Sequence, residues 1–272
     1  AAGITEINVD PDNIYYSSSD GVLFNKDKSM LLIMPCAKSG DYTIPDTVNT
    51  IAYSAFSNSS LSNLVISDNV TVVGGYAFYQ CSKLESIHIG NGTQGLYGLD
   101  TCKNLKEITV STDNNKYTSI NNVVYDKNVE ELIFCPRGYE GRLTLPETVQ
   151  KCSFSAFESQ DLDYTSYKCN GITELYLGES FNDAVEDDGE DGIENNLFFP
   201  YSLQMIYVSE KNANYKSVDG VLYSKDMKDL IMIPCAMEEV VITDGVVNLI
   251  SGCCNNSINI SKREDGSTYY YS

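Results

Sequence analysis

Apolar residues recur along this chain in the spacing Leu-x-x-Leu-x-Leu, separated by polar stretches. The spacing occurs at Ile4-x-x-Ile7-x-Val9, Leu61-x-x-Leu64-x-Ile66 and Leu84-x-x-Ile87-x-Ile89, and again at Leu105-x-x-Ile108-x-Val110, Ile172-x-x-Leu175-x-Leu177 and Leu203-x-x-Ile206-x-Val208. The last two apolar positions alternate with polar ones, which puts them on one face of a short strand. The first leucine precedes the strand and turns inward from the connection. The inward positions Ile44, Ile66, Ile89 and Val110 are separated by 22, 23 and 21 residues (66 − 44, 89 − 66, 110 − 89). A period in the low twenties holds one strand and one tight return, the geometry of a leucine-rich repeat. Strands are expected near 6–9, 43–45, 63–67, 86–90, 107–110, 143–145, 174–177, 205–208 and 240–242, in one mostly parallel ladder.

A longer repeat is laid over the short one. Val9–Phe24, Val110–Tyr125 and Val208–Tyr223 align without a gap, at offsets of 101 (110 − 9) and 98 (208 − 110). Each copy holds a turn pair, Asp20-Gly21, Asn121-Asn122 or Asp219-Gly220. Such pairs suit a turn that needs a residue at positive φ. Hairpins are therefore expected at 14–34, 115–135 and 213–233. Phe56, Phe78 and Phe157, each preceded by alanine, recur as core positions. A chain of copies stacks each unit on its neighbour and makes an extended surface rather than one deep cleft. The array is expected to be continuous over 1–258, with long units near 4–104, 105–202 and 203–258, and with 259–272 as a cap or disordered tail. The first repeat begins at Ile4, and a solenoid needs a covered end. Either a preceding segment has been trimmed or the first coil is capped in its own way.

Ile44-Pro45-x-x-Val48-x-x-Ile51-x-x-x-Ala55-Phe56, followed by Cys81-x-x-Leu84-x-x-Ile87-x-Ile89, resembles the BspA-like leucine-rich repeat, also called the Treponema pallidum type. The Asp-Gly-Val-Leu-Phe/Tyr-x-Lys-Asp hairpins at Asp20–Asp27 and Asp219–Asp226 are similar to an insertion common in that family. The resemblance covers most of residues 1 to about 258. It implies a β-rich solenoid: a right-handed coil of short strands with irregular or short helical returns and inserted hairpins. It also implies a secreted or cell-surface bacterial protein that adheres to host or neighbouring-cell proteins.

Composition narrows the partners. The formal charge of −20 argues against nucleic acid, which requires concentrated Lys and Arg. It also disfavours anionic lipid, and no apolar run reaches the roughly 18 residues of a membrane span. Of the nine cysteines, Cys81 and Cys102 share one repeat position, Cys36 and Cys235 share another, and Cys152 stands where Ile51 stands. That recurrence reads as small core residues. Disulfides are the other reading, with Cys253-Cys254 and Cys152/Cys169 the least repeat-like. There is no Cys-x-x-Cys pair for zinc and a single histidine, His88. No catalytic motif, cofactor or metal is indicated, so the chain reads as a non-enzyme. The acidic run Glu186–Glu194 fails the EF-hand template and reads as a solvated loop, or else as a weak calcium site.

The candidate binding surface is the outward face of the strand ladder. Residues that precede an inward apolar position point outward: Asn8, Thr43, Val65, His88, Thr109, Thr144, Tyr176, Tyr207 and Val241. Thr, Val and Tyr suit strands with no ligand at all. Tyrosine also supplies area and a hydroxyl at interfaces, which singles out Tyr176 and Tyr207. Protein is the expected partner. A glycan is the alternative, favoured by twenty tyrosines and disfavoured by the lack of tryptophan.

Overall fold

The computed structural model describes residues 3–153, 156–160, 166–168, 171–183, 186–187, 193–194, 200–250, 259–262 and 268–271. The fold is a β-solenoid of leucine-rich-repeat type, and among the described residues the one helix is a single 3-10 turn, Leu99–Thr101. None is long and apolar enough to cross a membrane. The chain forms two compact units, the first chiefly residues 3–128 and 133–139, the second chiefly 129–132, 140–153 and 171–250.

In the first unit, strands Ser39–Thr43, Ser60–Val65, Ser86–Ile89 and Glu107–Val110 form a four-stranded sheet in that order, every pair parallel. Their inward residues Tyr42, Leu64, Ile87 and Ile108 are buried. Ile44 and Ile66, also buried, come just after their strands, and their N–H groups donate to the carbonyls of Val65 and His88. The expected strands at 43–45 and 63–67 are thus displaced toward the N-terminus. Pro45, which has no N–H to donate, follows Ile44. Leu61 lies within its strand rather than ahead of it, whereas Leu84 and Leu105 precede theirs.

The returns are made by repeated left-handed residues. Ser54 and Tyr76 (φ 54 each) precede the Ala-Phe pairs, and Asn58 and Gln80 (φ 59 and 53) follow them. This conformation is uncommon for side chains larger than Asn. It is held because Phe56 N–H donates to Ala77 and Phe78 N–H to Tyr97, so each return is bonded to the next. Phe56 and Phe78 point inward, fully buried, with ring centroids 5.6 Å apart. Phe157 is buried as well, as expected.

In the second unit, Gly141–Thr144, Ile172–Leu177 and Met205–Val208 form a parallel three-stranded sheet. Leu132 pairs in parallel with Cys152. At the backbone level Asn259–Lys262 pairs antiparallel with Thr268–Tyr271. Two expected strands do not form. Residues 6–9 are held instead by single bonds, Ile7 N–H to Gly21 and Val9 N–H to Ser18 Oγ. Val240 makes only an isolated bridge, and Asp244-Gly245 turns the chain soon after, with Gly245 at φ 95.

The three hairpins form where expected, at Tyr16–Asn25, Tyr117–Asp126 and Tyr215–Ser224. Each turn places two residues at positive φ rather than one: Asp20 and Gly21, Asn121 and Asn122, Asp219 and Gly220. That is the type I′ turn of a two-residue hairpin. One polar scheme ties each hairpin to the segment before it. Val9, Val110 and Val208 donate N–H to Ser18, Ser119 and Ser217. Lys26, Lys127 and Lys225 donate Nζ to carbonyls 15 residues back. Asn13, Asn114 and Asn212 accept on Oδ1 from the N–H groups two and three residues on. Asn114 and Asn212, fully buried, also donate Nδ2 to the coil beneath: Asn114 to Gly90 and Thr93, Asn212 to Gly178 and Phe181.

A valine Cβ at Gly220 would lie 2.6 Å from Met205 Sδ and 3.3 Å from Met205 Cα, at a φ of +82°. Gly220→Val should therefore lower stability by about 1 kcal/mol or more in a urea melt. An unchanged midpoint would contradict the turn assignment.

Candidate functional site

The outward face of the first unit's sheet carries hydrogen-bonded polar rows, interrupted by the exposed Val65. Thr43 lies beside Val65, Val65 beside His88, and His88 beside Thr109. His88 Nδ1 is 2.9 Å from Thr109 Oγ1. Two residues earlier on each strand, Ser86 Oγ donates to Asn63 Oδ1 (2.6 Å) and Asn63 Nδ2 donates to Asp41 Oδ1 (2.5 Å). Groups already bonded to one another gain little by exchanging those bonds for a partner's.

The same face in the second unit has different chemistry. Thr144 lies beside Tyr176, and Tyr176 beside Tyr207. Arg142, two residues before Thr144 and so on the same face, lays its guanidinium 4.9 Å from the Tyr207 ring centroid and 5.8 Å from that of Tyr176. Both distances fall within cation–π range. Tyr176 donates its hydroxyl to Glu147 Oε1 (3.3 Å), while Glu147 Oε2 accepts from the Glu179 N–H (2.6 Å). Two half-buried aromatic rings are thus set side by side under the guanidinium of the exposed Arg142. Sequence reasoning missed Arg142 and Glu147. The period-2 rule would have found Arg142; the Glu147 contact comes from a turn and carries no sequence signal.

The other candidates are not part of these rows. Val241 is exposed and outside any strand, as is Asn8. The acidic run is described only as the paired backbone of Glu186–Asp187 and Ile193–Glu194; its calcium reading lies outside the described residues.

Among the cysteines, Cys81 and Cys102 are buried, as their shared repeat position implies, and so is Cys135. Cys81 Sγ lies 3.0 Å from the Phe56 carbonyl and Cys102 Sγ 3.2 Å from that of Phe78. The neighbouring Cys81 sulfur, and then burial, hold the Cys102 thiol well above its ordinary pKa. Burial, reinforced by the Asp183 and Glu131 carboxylates, raises that of Cys152, which is free. Thiolate is the nucleophilic form, so neither side chain is suited to attack a substrate. Cys36 and Cys235 depart from the core reading: Cys36 is exposed and Cys235 half-buried. Cys169, Cys253 and Cys254 lie outside the described residues.

Residues 34–139 match the family model of the BspA type leucine rich repeat region, in six copies. No curated protein matches. Among solved structures, the chain is similar to a leucine rich cell surface protein from Faecalibacterium prausnitzii A2-165. That protein is 18% identical, with a TM-score of 0.40 over 86% of this chain and 66% of that one. The pneumococcal vaccine antigen PcpA is 13% identical, with a TM-score of 0.38 over 89% of this chain and 83% of that one. A leucine-rich repeat protein from Bacteroides ovatus is 18% identical, with a TM-score of 0.37 over 91% of this chain and 63% of that one. The chain therefore spans just under two thirds of the length of the Faecalibacterium and Bacteroides proteins.

Proposed function

We propose that the chain, whose residues 34–139 match the BspA type leucine rich repeat region, is a non-catalytic interaction protein of a bacterial cell surface. In this reading it binds a protein of a host or neighbouring cell through the outward sheet face of the second unit. The observation that carries the reading is the cluster of Arg142, Tyr176 and Tyr207. Tyrosine and arginine dominate binding energy where they are packed and partly desolvated. The Glu147 bond to Tyr176 fixes one ring in advance, which reduces the ordering cost of association. The acidic surface, at a formal charge of −20, favours a basic partner and binding that weakens with salt.

The test begins with a protein array run beside a glycan array, followed by calorimetry on the best ligand. Changing Tyr176 and Tyr207 together to alanine should weaken binding by about 2 kcal/mol or more with folding intact. Unchanged affinity would move the site off this face.

A glycan-binding module is the second reading. It is favoured by tyrosines at the returns of the first unit. Tyr53 and Tyr76 are exposed with ring centroids 5.6 Å apart, and Tyr79 lies 5.8 Å beyond Tyr76. Glycan-array hits abolished by Tyr53→Ala, with Tyr176 and Tyr207 intact, would decide for it.

A further inference from the structure

The three hairpins are built alike but are not covered alike. In the second, Asn114 donates to the carbonyls of Gly90 and Thr93, and the Tyr117 hydroxyl to Gln94, 3.1 Å away. In the third, Asn212 donates to Gly178 and Phe181, and Tyr215 to Asn182, again at 3.1 Å. The acceptors occupy one pattern in both coils: the first, fourth and fifth residues of the turn Gly90–Gln94, and of Gly178–Asn182. Each hairpin therefore reads the carbonyls of the leucine-rich coil immediately before it.

The first hairpin has the same donors. Asn13 aligns with Asn114 and Asn212, Tyr16 with Tyr117 and Tyr215. Asn13 already performs the local half of the role, accepting on Oδ1 from Tyr15 and Tyr16, each at 2.9 Å. Around it lies an apolar face. Ile4, Tyr16 and Ile33 are 62%, 47% and 49% exposed. Their counterparts Leu105, Tyr117 and Phe134 are all at 6% or less, and so are Leu203, Tyr215 and Met232. Three large apolar residues exposed together where two aligned copies bury them mark an interface rather than a surface.

We infer that this face, Asn13 with Ile4, Tyr16 and Ile33, is a docking site for one further leucine-rich coil, seated on the first hairpin as coils are seated on the other two. The coil presents backbone carbonyls at the first, fourth and fifth residues of its turn to the Asn13 amide and the Tyr16 hydroxyl. Its apolar strand covers Ile4 and Ile33. The commitment to a coil rests on the two filled copies within this chain, which show what the motif binds and through which atoms.

The test uses the full chain, alone and with a copy of residues 81–104 joined directly ahead of Ile4, the counterpart of Leu105. Nitration of Tyr16, read by peptide mass spectrometry, should slow by tenfold or more in the extended protein, and the melting midpoint should rise. Asn13→Asp keeps the Oδ1 acceptor and removes the Nδ2 donors. It should leave the midpoint of the chain alone unchanged and cancel the gain in the extended protein. An unchanged Tyr16 nitration rate, or an equal effect of Asn13→Asp in both proteins, would overturn the inference. Concentration-dependent protection of Tyr16 in the chain alone, matched by dimers in sedimentation, would overturn it too, because the face would then belong to a second copy.

Discussion

Asn114→Asp should destabilise the protein by about 3–5 kcal/mol in urea denaturation, the penalty of a buried uncompensated charge. The change is one atom in size. Aspartate still accepts from Lys116 and Tyr117, so the turn at the start of the hairpin survives. What it loses is both donors, and it sets a carboxylate against the carbonyls of Gly90 and Thr93, which Nδ2 reaches at 2.9 and 3.0 Å. The side chain is fully buried, so water does not replace the lost bonds. Each carbonyl left bare costs about 1–3 kcal/mol. The carboxyl of the variant should have its pKa raised in the folded state. The sign then follows: the deficit relative to wild type is smallest below the unfolded carboxylate pKa and grows as pH rises through the folded one. A variant within about 0.5 kcal/mol of wild type, at the noise level of a neutral surface change, would show that the clamp does not hold the hairpin to its coil.

Phe78→Ala should cost about 3–5 kcal/mol by the same measurement, the usual range for emptying a buried phenylalanine site. Phe78 has no exposed surface, and its ring packs against Phe56 from the adjacent coil. The return that carries it is bonded on both sides: Ala77 accepts from Phe56 N–H, and Phe78 N–H donates to Tyr97. Backbone so constrained cannot collapse onto the cavity, which places the cost toward the upper end. Phe78→Leu should cost markedly less because it keeps most of the volume. Equal losses in the two variants would indicate that the return itself unfolds.

Much of this was written in the repeats. The Asn-x-x-Tyr-x-Ser order, the turn pair and the following lysine appear three times in register, and the Asn Oδ1, Ser Oγ and Lys Nζ make the same bonds in all three places. The strand positions were legible because inward Leu, Ile and Val recur at one spacing. Strand ends were not, since they depend on where Pro45 and its counterparts stop the ladder. The exposed Cys36 was misread for a reason that also applies to Ile4: a repeat position predicts burial only where a neighbouring coil covers it. The candidate surface was half legible. Tyr176 and Tyr207 were named from strand alternation, but the Arg142 guanidinium packed against them depends on side-chain reach across two strands. The left-handed Tyr76 left no trace in the sequence, because tyrosine is not a residue that favours positive φ.

The hairpin scheme has a kinetic consequence. Its side-chain bonds join residues 2, 3, 9 and 15 positions apart, whereas bonds between coils span longer stretches, as Phe78 N–H does to Tyr97 across 19 (97 − 78) and Asn114 does to Gly90 across 24. Short loops close at little entropic cost, and hairpins form in roughly 1–10 μs. Each hairpin can therefore assemble before the coil it rests on, and the array acquires three local starting points for folding. A turn defect such as Gly220→Val then falls on the refolding rate, with unfolding left nearly as slow as before.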